Sequence, residues 1–133
     1  AVLPSMTLRQ ATEALVASHE DGVPVIGSDG EFLGDITSRT LVEIGLPKYM
    51  NLITNPKILS DFQPFEAFYK KEDTLTVDEV MNRNVLILSA DTPVEIVAHE
   101  LLTKHVDRGY VVKEKKLLGV VYRKDIVRKV LYL

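Results

Sequence analysis

Two stretches of this sequence, GDITSRTL at residues 34–41 and GVVYRKDI at residues 119–126, are versions of one pattern. Each has a glycine, the end of a short strand, a polar triplet and the start of a helix. The similarity extends upstream, because residues 7–26 lie on residues 93–112 with the same order of apolar positions. Internal repetition of this kind predicts a duplicated unit, here of roughly 50 residues.

Each copy is predicted to begin with a helix. Ser5 in one copy and Thr92 in the other are good N-cap residues near these starts, and Pro93 suits the first helical position. Apolar residues then recur at helical spacing. They are Leu8, Ala11 and Leu15 in the first copy, and Val94, Val97 and Leu101 in the second.

Two strands and a second helix are predicted to follow in each copy. The segments VPVI and GYVV are rich in β-branched residues, and a tight turn joins each to a second strand, EFLGDI or KLLGVV. The last helix starts at the Thr-Ser-Arg or Tyr-Arg-Lys step. The second copy also has a lead-in, with a helical turn and then a strand over Val85–Leu88.

The predicted fold class is α/β (α+β), with two β-α-β-β-α repeats packed sheet to sheet in pseudo-two-fold symmetry. A unit of this size leaves one apolar sheet face exposed, and a second copy would cover it. Residues 1–45 form the first repeat, with its first strand truncated, and residues 76–133 form the second. Residues 46–75 hold three prolines and many aromatic residues, which predicts a packed, partly helical connector.

Composition excludes several classes of protein. No apolar run approaches the roughly 18 residues that a membrane span needs, so we expect no membrane contact. The absence of cysteine excludes disulfides and thiolate metal sites, and it is compatible with the cytoplasm, where we expect the protein to act. The net charge of −3 gives no general attraction to nucleic acid. The chain does not begin with methionine, so we expect a piece of a longer protein.

The charges are unevenly distributed. Residues 9–45 carry two basic and seven acidic side chains, whereas residues 104–130 carry nine basic and three acidic ones. Two solvated faces of opposite sign explain this distribution, and a basic half that meets an anion or an acidic partner is the alternative.

The order of these elements, together with TVDEVMNRNVLIL, DGVPVI and FLGDITSRTL, resembles a pair of cystathionine-β-synthase (CBS) domains, a Bateman module. The resemblance covers nearly the whole chain. It implies a regulatory module with no required cofactor that binds AMP, ADP or ATP in clefts between the copies and controls a larger parent protein. It also implies a homodimer formed through the helices.

The family pattern at the second strand is Gly-apolar-Thr/Ser-x-x-Asp, in which the hydroxyl contacts phosphate and the aspartate contacts ribose. The first copy keeps Thr37 but has Thr40 at the aspartate position. The second copy keeps Asp125 but has Tyr122 in place of the hydroxyl residue, and Arg123 and Lys124 could replace that phosphate donor. Neither copy is complete.

The second copy is therefore the better candidate for the nucleotide site. Its predicted residues are Ile87, Leu88, Ser89, Gly109, Tyr110, Tyr122, Arg123, Lys124 and Asp125. A second, weaker site is predicted at Val23, Pro24, Thr37 and Thr40.

Other interpretations remain open at this point. The same glycines, threonines and aspartate could serve only as turn and cap residues, which would leave a ligand-free dimerisation or docking module. An antiparallel dimer would then pair the acidic copy with the basic one. A magnesium-sensing module would need clustered carboxylates, for which Glu13, Glu20 and Asp21 are the candidates. His19, His99 and His105 lack metal-ligand spacing, and no catalytic constellation is found, so we expect no enzyme.

Overall fold

The structure, a computed structural model, describes residues 1–45 and 74–131. Most of the predicted connector, residues 46–73, lies outside this range, as do residues 132–133. The elements in chain order are α1 (Leu8–Ser18), β1 (Gly22–Ile26), β2 (Phe32–Thr37), α2 (Ser38–Gly45), α3 (Val77–Val80), β3 (Ile87–Leu88), α4 (Val94–Thr103), β4 (Arg108–Lys113), β5 (Lys116–Tyr122) and α5 (Arg123–Leu131).

The chain divides into two compact units, one of Ala1–Ile26 with Leu33–Arg83 and one of Gly27–Phe32 with Asn84–Leu133. The boundaries of these units reflect which residues pack together, and they do not coincide with the boundaries of the sequence repeat. The first unit includes the lead-in helix α3, and the second includes the β1–β2 turn. The division into repeats at 1–45 and 76–133 stays a prediction from the sequence.

The described residues of the first unit share an apolar core. Ten buried residues form it: Val2, Leu8, Ala11, Leu15, Val23, Val25, Ile36, Leu41, Val77 and Met81. The N-terminal segment joins the sheet because Val2 pairs in parallel with Val25, and the Ile26 N–H donates to the Val2 carbonyl at 2.9 Å. After α3, Asp35 and Asn82 exchange two backbone hydrogen bonds of 3.0 and 2.8 Å.

The second unit contains a three-stranded sheet in the order β3-β4-β5. Strand β3 pairs in parallel with β4, which pairs antiparallel with β5 around a bulge between Val111 and Val112. Its core comprises Leu86, Leu88, Val97 and Leu101.

The repeat is visible in matching local geometry. His19 and His105, which end α1 and follow α4, both have the left-handed backbone conformation, with φ of 59° and 54°. The Ser38 N–H donates to the Asp21 carbonyl at 2.8 Å, and the Arg123 N–H donates to the Asp107 carbonyl at 3.0 Å. These pairs occupy equivalent positions in the two copies, so the duplication predicted from sequence extends to single backbone bonds.

The predicted helix starts were early. Helix α1 begins at Leu8, because the Thr7 hydroxyl accepts from the Gln10 N–H at 3.2 Å and the Gln10 side chain accepts from the Thr7 N–H at 3.0 Å. This reciprocal capping box replaces the cap expected at Ser5. Pro93 is the N-cap of α4 and not its first helical residue. Strand β3 is also shorter than the predicted Val85–Leu88.

The β4–β5 turn offers a stabilising substitution. Its two central residues, Glu114 and Lys115, have φ of 50° and 69°, a conformation that costs a non-glycine residue about 1 kcal/mol or more. We expect Lys115→Gly to raise the free energy of unfolding by about 1 kcal/mol, measured by urea denaturation. The Lys115 carbonyl, which accepts from the Phe32 N–H at 2.8 Å, is unchanged by the substitution.

The matched control for this turn is Lys113→Gly. Lys113 lies in β4 two residues earlier, outside the left-handed region. Glycine there should lower the free energy of unfolding by about 0.5–1 kcal/mol, because it raises the conformational entropy of the unfolded chain without relieving any strain in the folded one. Equal effects of the two substitutions would show that backbone strain in the turn is not the cause.

Candidate functional site

Asp125 caps the start of helix α5. Its Oδ2 accepts a hydrogen bond from the Tyr122 N–H at 2.8 Å, while its Oδ1 lies 4.0 Å from Arg128 Nη1. Its contacts with Tyr122 and Arg128 therefore hold the carboxylate in position without a ligand.

The equivalent step in the first copy is capped in the complementary way. The Thr37 hydroxyl accepts from the Thr40 N–H at 3.2 Å, and the two threonine hydroxyl oxygens also lie 3.2 Å apart. A complete capping box needs both the N-cap hydroxyl and the acidic side chain three residues later. The first copy keeps the hydroxyl half of the box, Thr37, and the second copy keeps the acidic half, Asp125. Both residues therefore have a structural role at the start of a helix.

A cavity of about 210 Å³ lies in the second unit beside Asp125. Its lining residues are Leu88, Ser89, Ala90, Thr92, Val94, Val97, Val111, Val121, Asp125, Ile126 and Lys129. The lining is mostly aliphatic, and its charged residues are Asp125 and Lys129, both on α5. The volume is below the roughly 300–1,000 Å³ of a typical ligand pocket, so the cavity suits one part of a nucleotide.

Three of the nine predicted residues of the better site line this cavity: Leu88, Ser89 and Asp125. Ile87, a residue that is 58% exposed, instead lines an adjoining groove of about 490 Å³ with Ile96 and Lys104, and this groove shares Leu88, Ser89 and Thr92 with the cavity. The Ser89 hydroxyl donates to Asp91 Oδ1 at 2.7 Å, and this bond lowers the pKa of Asp91. Ser89 thus also organises the turn before α4.

Gly109 and Tyr110 do not line the cavity and are buried beneath its wall. Tyr110 is fully buried, with its ring centroid 4.8 Å from that of Phe32. A Cβ at Gly109 would lie 2.7 Å from a methyl carbon of Leu88, so glycine permits close packing against a residue that lines the cavity. The sequence placed both in the nucleotide wall, whereas the structure places them in the packed interior of the second unit.

The Tyr122 ring is flanked by two cations. The Arg108 guanidinium carbon lies 5.1 Å from the ring centroid and Lys124 Nζ lies 5.4 Å from it, both within the range of a cation–π contact. A nucleobase that stacks on a face of the ring covered by one of these cations would have to displace it. Lys124 is exposed and could move, whereas Arg108 is buried.

Arg108 is held by Asp107. Its Nε and Nη2 donate to the two carboxylate oxygens of Asp107, each at 3.1 Å. Burial acts to lower the pKa of Arg108, but the hydrogen bond and charge of Asp107 raise it overall. The same hydrogen bond lowers the pKa of Asp107. The pair fixes the strand end from which the Asp107 carbonyl accepts the Arg123 N–H.

The basic residues at the start of α5 are not those at the cavity. Arg123 and Lys124, predicted as phosphate contacts, are exposed and do not line it, whereas Lys129 does. Sequence reasoning missed Lys129. The available signal was its position four residues after Asp125, which puts both residues on one face of the helix.

The four predicted residues of the weaker site make contacts that stabilise the first unit. Val23 is buried in the core of the first unit, and the Pro24 carbonyl accepts from the Val2 N–H at 3.0 Å. Thr37 and Thr40 contact each other, as described above. The residues of this site thus have local partners already.

The magnesium interpretation finds no support in the described ranges. Across residues 1–45 and 74–131, no group of three histidine, aspartate or glutamate side chains could hold a metal ion. Glu13, Glu20 and Asp21 are all exposed and do not form such a group. Within the same part of the chain, no helix is long and apolar enough to cross a membrane.

The fold and the repeated helix starts define a tandem pair of small α/β repeats. The family model of the CBS domain matches residues 1–46 and 77–132, and the chain belongs to this family. Proteins that contain CBS domains are typically regulatory modules.

Two curated relatives are similar in sequence. The chloroplastic CBS domain-containing protein CBSX1 of Arabidopsis thaliana is 28% identical over an alignment of 137 positions, which covers 98% of this chain and 58% of CBSX1. The A-adding tRNA nucleotidyltransferase of Geobacter sulfurreducens is 27% identical over 122 residues, which is 92% of this chain. The chain spans only 11% of that enzyme.

Solved structures show the same mixed fold. CBSX2 in complex with AMP matches with a TM-score of 0.72 and 26% identity, over 99% of this chain and 87% of CBSX2. A CBS domain-containing protein of unknown function from Bacillus anthracis matches with a TM-score of 0.78 and 18% identity. That match covers 97% of this chain and 81% of the Bacillus protein.

Proposed function

We propose that this chain is a non-enzymatic regulatory module that binds an adenine nucleotide of the AMP, ADP or ATP class and controls a larger protein in the cytoplasm. The observation that carries the proposal is the Asp125 carboxylate at the aliphatic cavity of the second unit. One of its oxygens is held by the Tyr122 N–H, and the other can accept ribose hydroxyls. The similarity to CBSX2, whose structure contains AMP, supports this ligand class.

The test is thermal melting with AMP, ADP, ATP and S-adenosylmethionine in turn. A ligand that binds only the folded chain, at one hundred times its Kd, adds about 2.7 kcal/mol of stability. We expect at least one adenine nucleotide to raise the melting temperature by several degrees. No shift with any of the four at millimolar concentration would contradict the proposal.

A second candidate, a ligand-free dimerisation module, is favoured by exposed apolar side chains on α4 and α5. Five of them are between 49% and 69% exposed: Ile96, Leu102, Val127, Val130 and Leu131. Helix α4 carries two acidic residues, whereas α5 carries four basic residues and one acidic one. A two-fold dimer in which α4 faces the partner's α5 would pair these charges and cover the apolar groups.

The antiparallel pairing of an acidic first copy with a basic second copy gains no support from the helices. Helix α1 carries Arg9 and Glu13, and α2 carries Arg39 and Glu43, so neither has a net charge. The acidic excess of residues 9–45 lies in turns and strands. A dimer in sedimentation together with no thermal shift would favour this second candidate over nucleotide binding.

A further inference from the structure

Helix α5 carries four basic residues, of which one lies at the cavity. Arg123, Lys124 and Arg128 do not line it, whereas Lys129 does, one turn after Asp125. Residues four apart on a helix have Cβ atoms about 5–6 Å apart on the same face. The cavity is therefore lined by a hydroxyl-accepting carboxylate and by a lysine from the same face of α5.

These two groups do not neutralise each other. Among the described residues, the cation within ion-pair distance of Asp125 is Arg128, with Nη1 4.0 Å from Oδ1. Among residues 1–45 and 74–131, no carboxylate lies within ion-pair distance of the Lys129 ammonium. Lys129 is exposed overall, so its aliphatic stem can line the wall while its ammonium group stays at the solvent edge. A cation in this position favours an anionic group on the ligand.

We propose that Lys129 is the residue that recognises the phosphate, and that it makes this site select 5′-nucleotides over nucleosides. This inference rests on the proposed function. A ribose held by Asp125 carries its 5′-phosphate only a few bonds away, within reach of a side chain one helical turn further on. A lysine binds phosphate as a point charge through up to three N–H donors. Lys129 thus takes the role that the sequence assigned to Arg123 and Lys124.

The experiment is calorimetric titration of the whole chain with AMP and with adenosine. A charge-assisted hydrogen bond is worth about 1.5–3 kcal/mol, so we expect Lys129→Gln to raise the Kd for AMP by about 10–100-fold. The Kd for adenosine should change by less than about twofold, because adenosine lacks the phosphate. Lys124→Gln removes the same charge from the same helix outside the cavity and is the control, with an AMP Kd within about threefold of the wild type.

Each other outcome identifies what failed. If Lys124→Gln weakens AMP binding as much as Lys129→Gln does, general attraction to the basic helix explains binding and this proposal is wrong. If Lys129→Gln weakens adenosine equally, Lys129 acts through packing and not through phosphate. If AMP binds the wild type and Lys129→Gln changes nothing, the site assignment fails while the proposed function stands. If neither ligand binds the wild type, both are contradicted.

Discussion

Gly34→Ala is expected to destabilise the protein by about 2–3 kcal/mol. A Cβ on Gly34 would collide with the backbone carbonyl oxygen of Asn82. That backbone cannot move aside freely, because Asn82 exchanges two hydrogen bonds with Asp35. The loss is a large share of the 5–15 kcal/mol that typically separates folded from unfolded states. Urea denaturation followed by circular dichroism measures it.

The matched control is Gly119→Ala, at the equivalent glycine of the second copy. No atom outside its neighbours lies within 4 Å of a Cβ built there. Alanine should therefore leave stability within about 1 kcal/mol of the wild type, on either side. A similar loss of stability in both variants would mean that the repeated pattern itself requires glycine at this position. The contact between Gly34 and Asn82 would then not be the cause.

Asp125→Ala is expected to abolish the stabilisation by AMP and to weaken the fold at the same time. The substitution removes the oxygen that could accept ribose hydroxyls and leaves the Tyr122 N–H without its helix cap. Losing a cap of this kind costs about 0.5–2 kcal/mol. Thermal melting with and without AMP separates the two effects, because the first appears only as a missing ligand shift.

Two further variants separate capping from binding. In Asp125→Asn the amide oxygen can still accept from the Tyr122 N–H, so we expect near wild-type stability with AMP binding weakened about tenfold or more.

Thr37→Ala removes the equivalent cap in the first copy, where the Thr37 hydroxyl accepts from the Thr40 N–H. It should cost about 1 kcal/mol and leave the AMP shift intact. Loss of the shift in Thr37→Ala would move the site to the first copy.

Much of the fold was predictable because its signals are local. Strands β1, β2, β4 and β5 and helices α2 and α5 start within about one residue of the expected positions, at β-branched runs, turns and polar triplets. The start of α1 was misjudged because Ser5 and Thr7 are both acceptable caps. Only the reciprocal bonds between Thr7 and Gln10 distinguish them.

The candidate site was predicted less completely. Leu88, Ser89 and Asp125 line the cavity as expected, but Gly109 and Tyr110 lie behind its wall. Arg123 and Lys124 do not line this cavity, and their predicted contact with phosphate stays a prediction. Which side of a helix meets a cavity depends on neighbours from β3, α4 and the sheet, which are distant in sequence.

By itself, the sequence determined the duplication, the order of helices and strands in each copy and the family, because apolar spacing, caps and turns act between residues close in the chain. Only the tertiary structure decided that Gly34 lies against the Asn82 backbone while Gly119 has open space beside it, and that Lys129 is the basic residue of α5 that lines the cavity with Asp125. The two glycines occupy equivalent places in the repeated pattern, and the four cations of α5 are chemically alike. What distinguishes them is the backbone of Asn82 and the walls of a cavity, which distant segments supply.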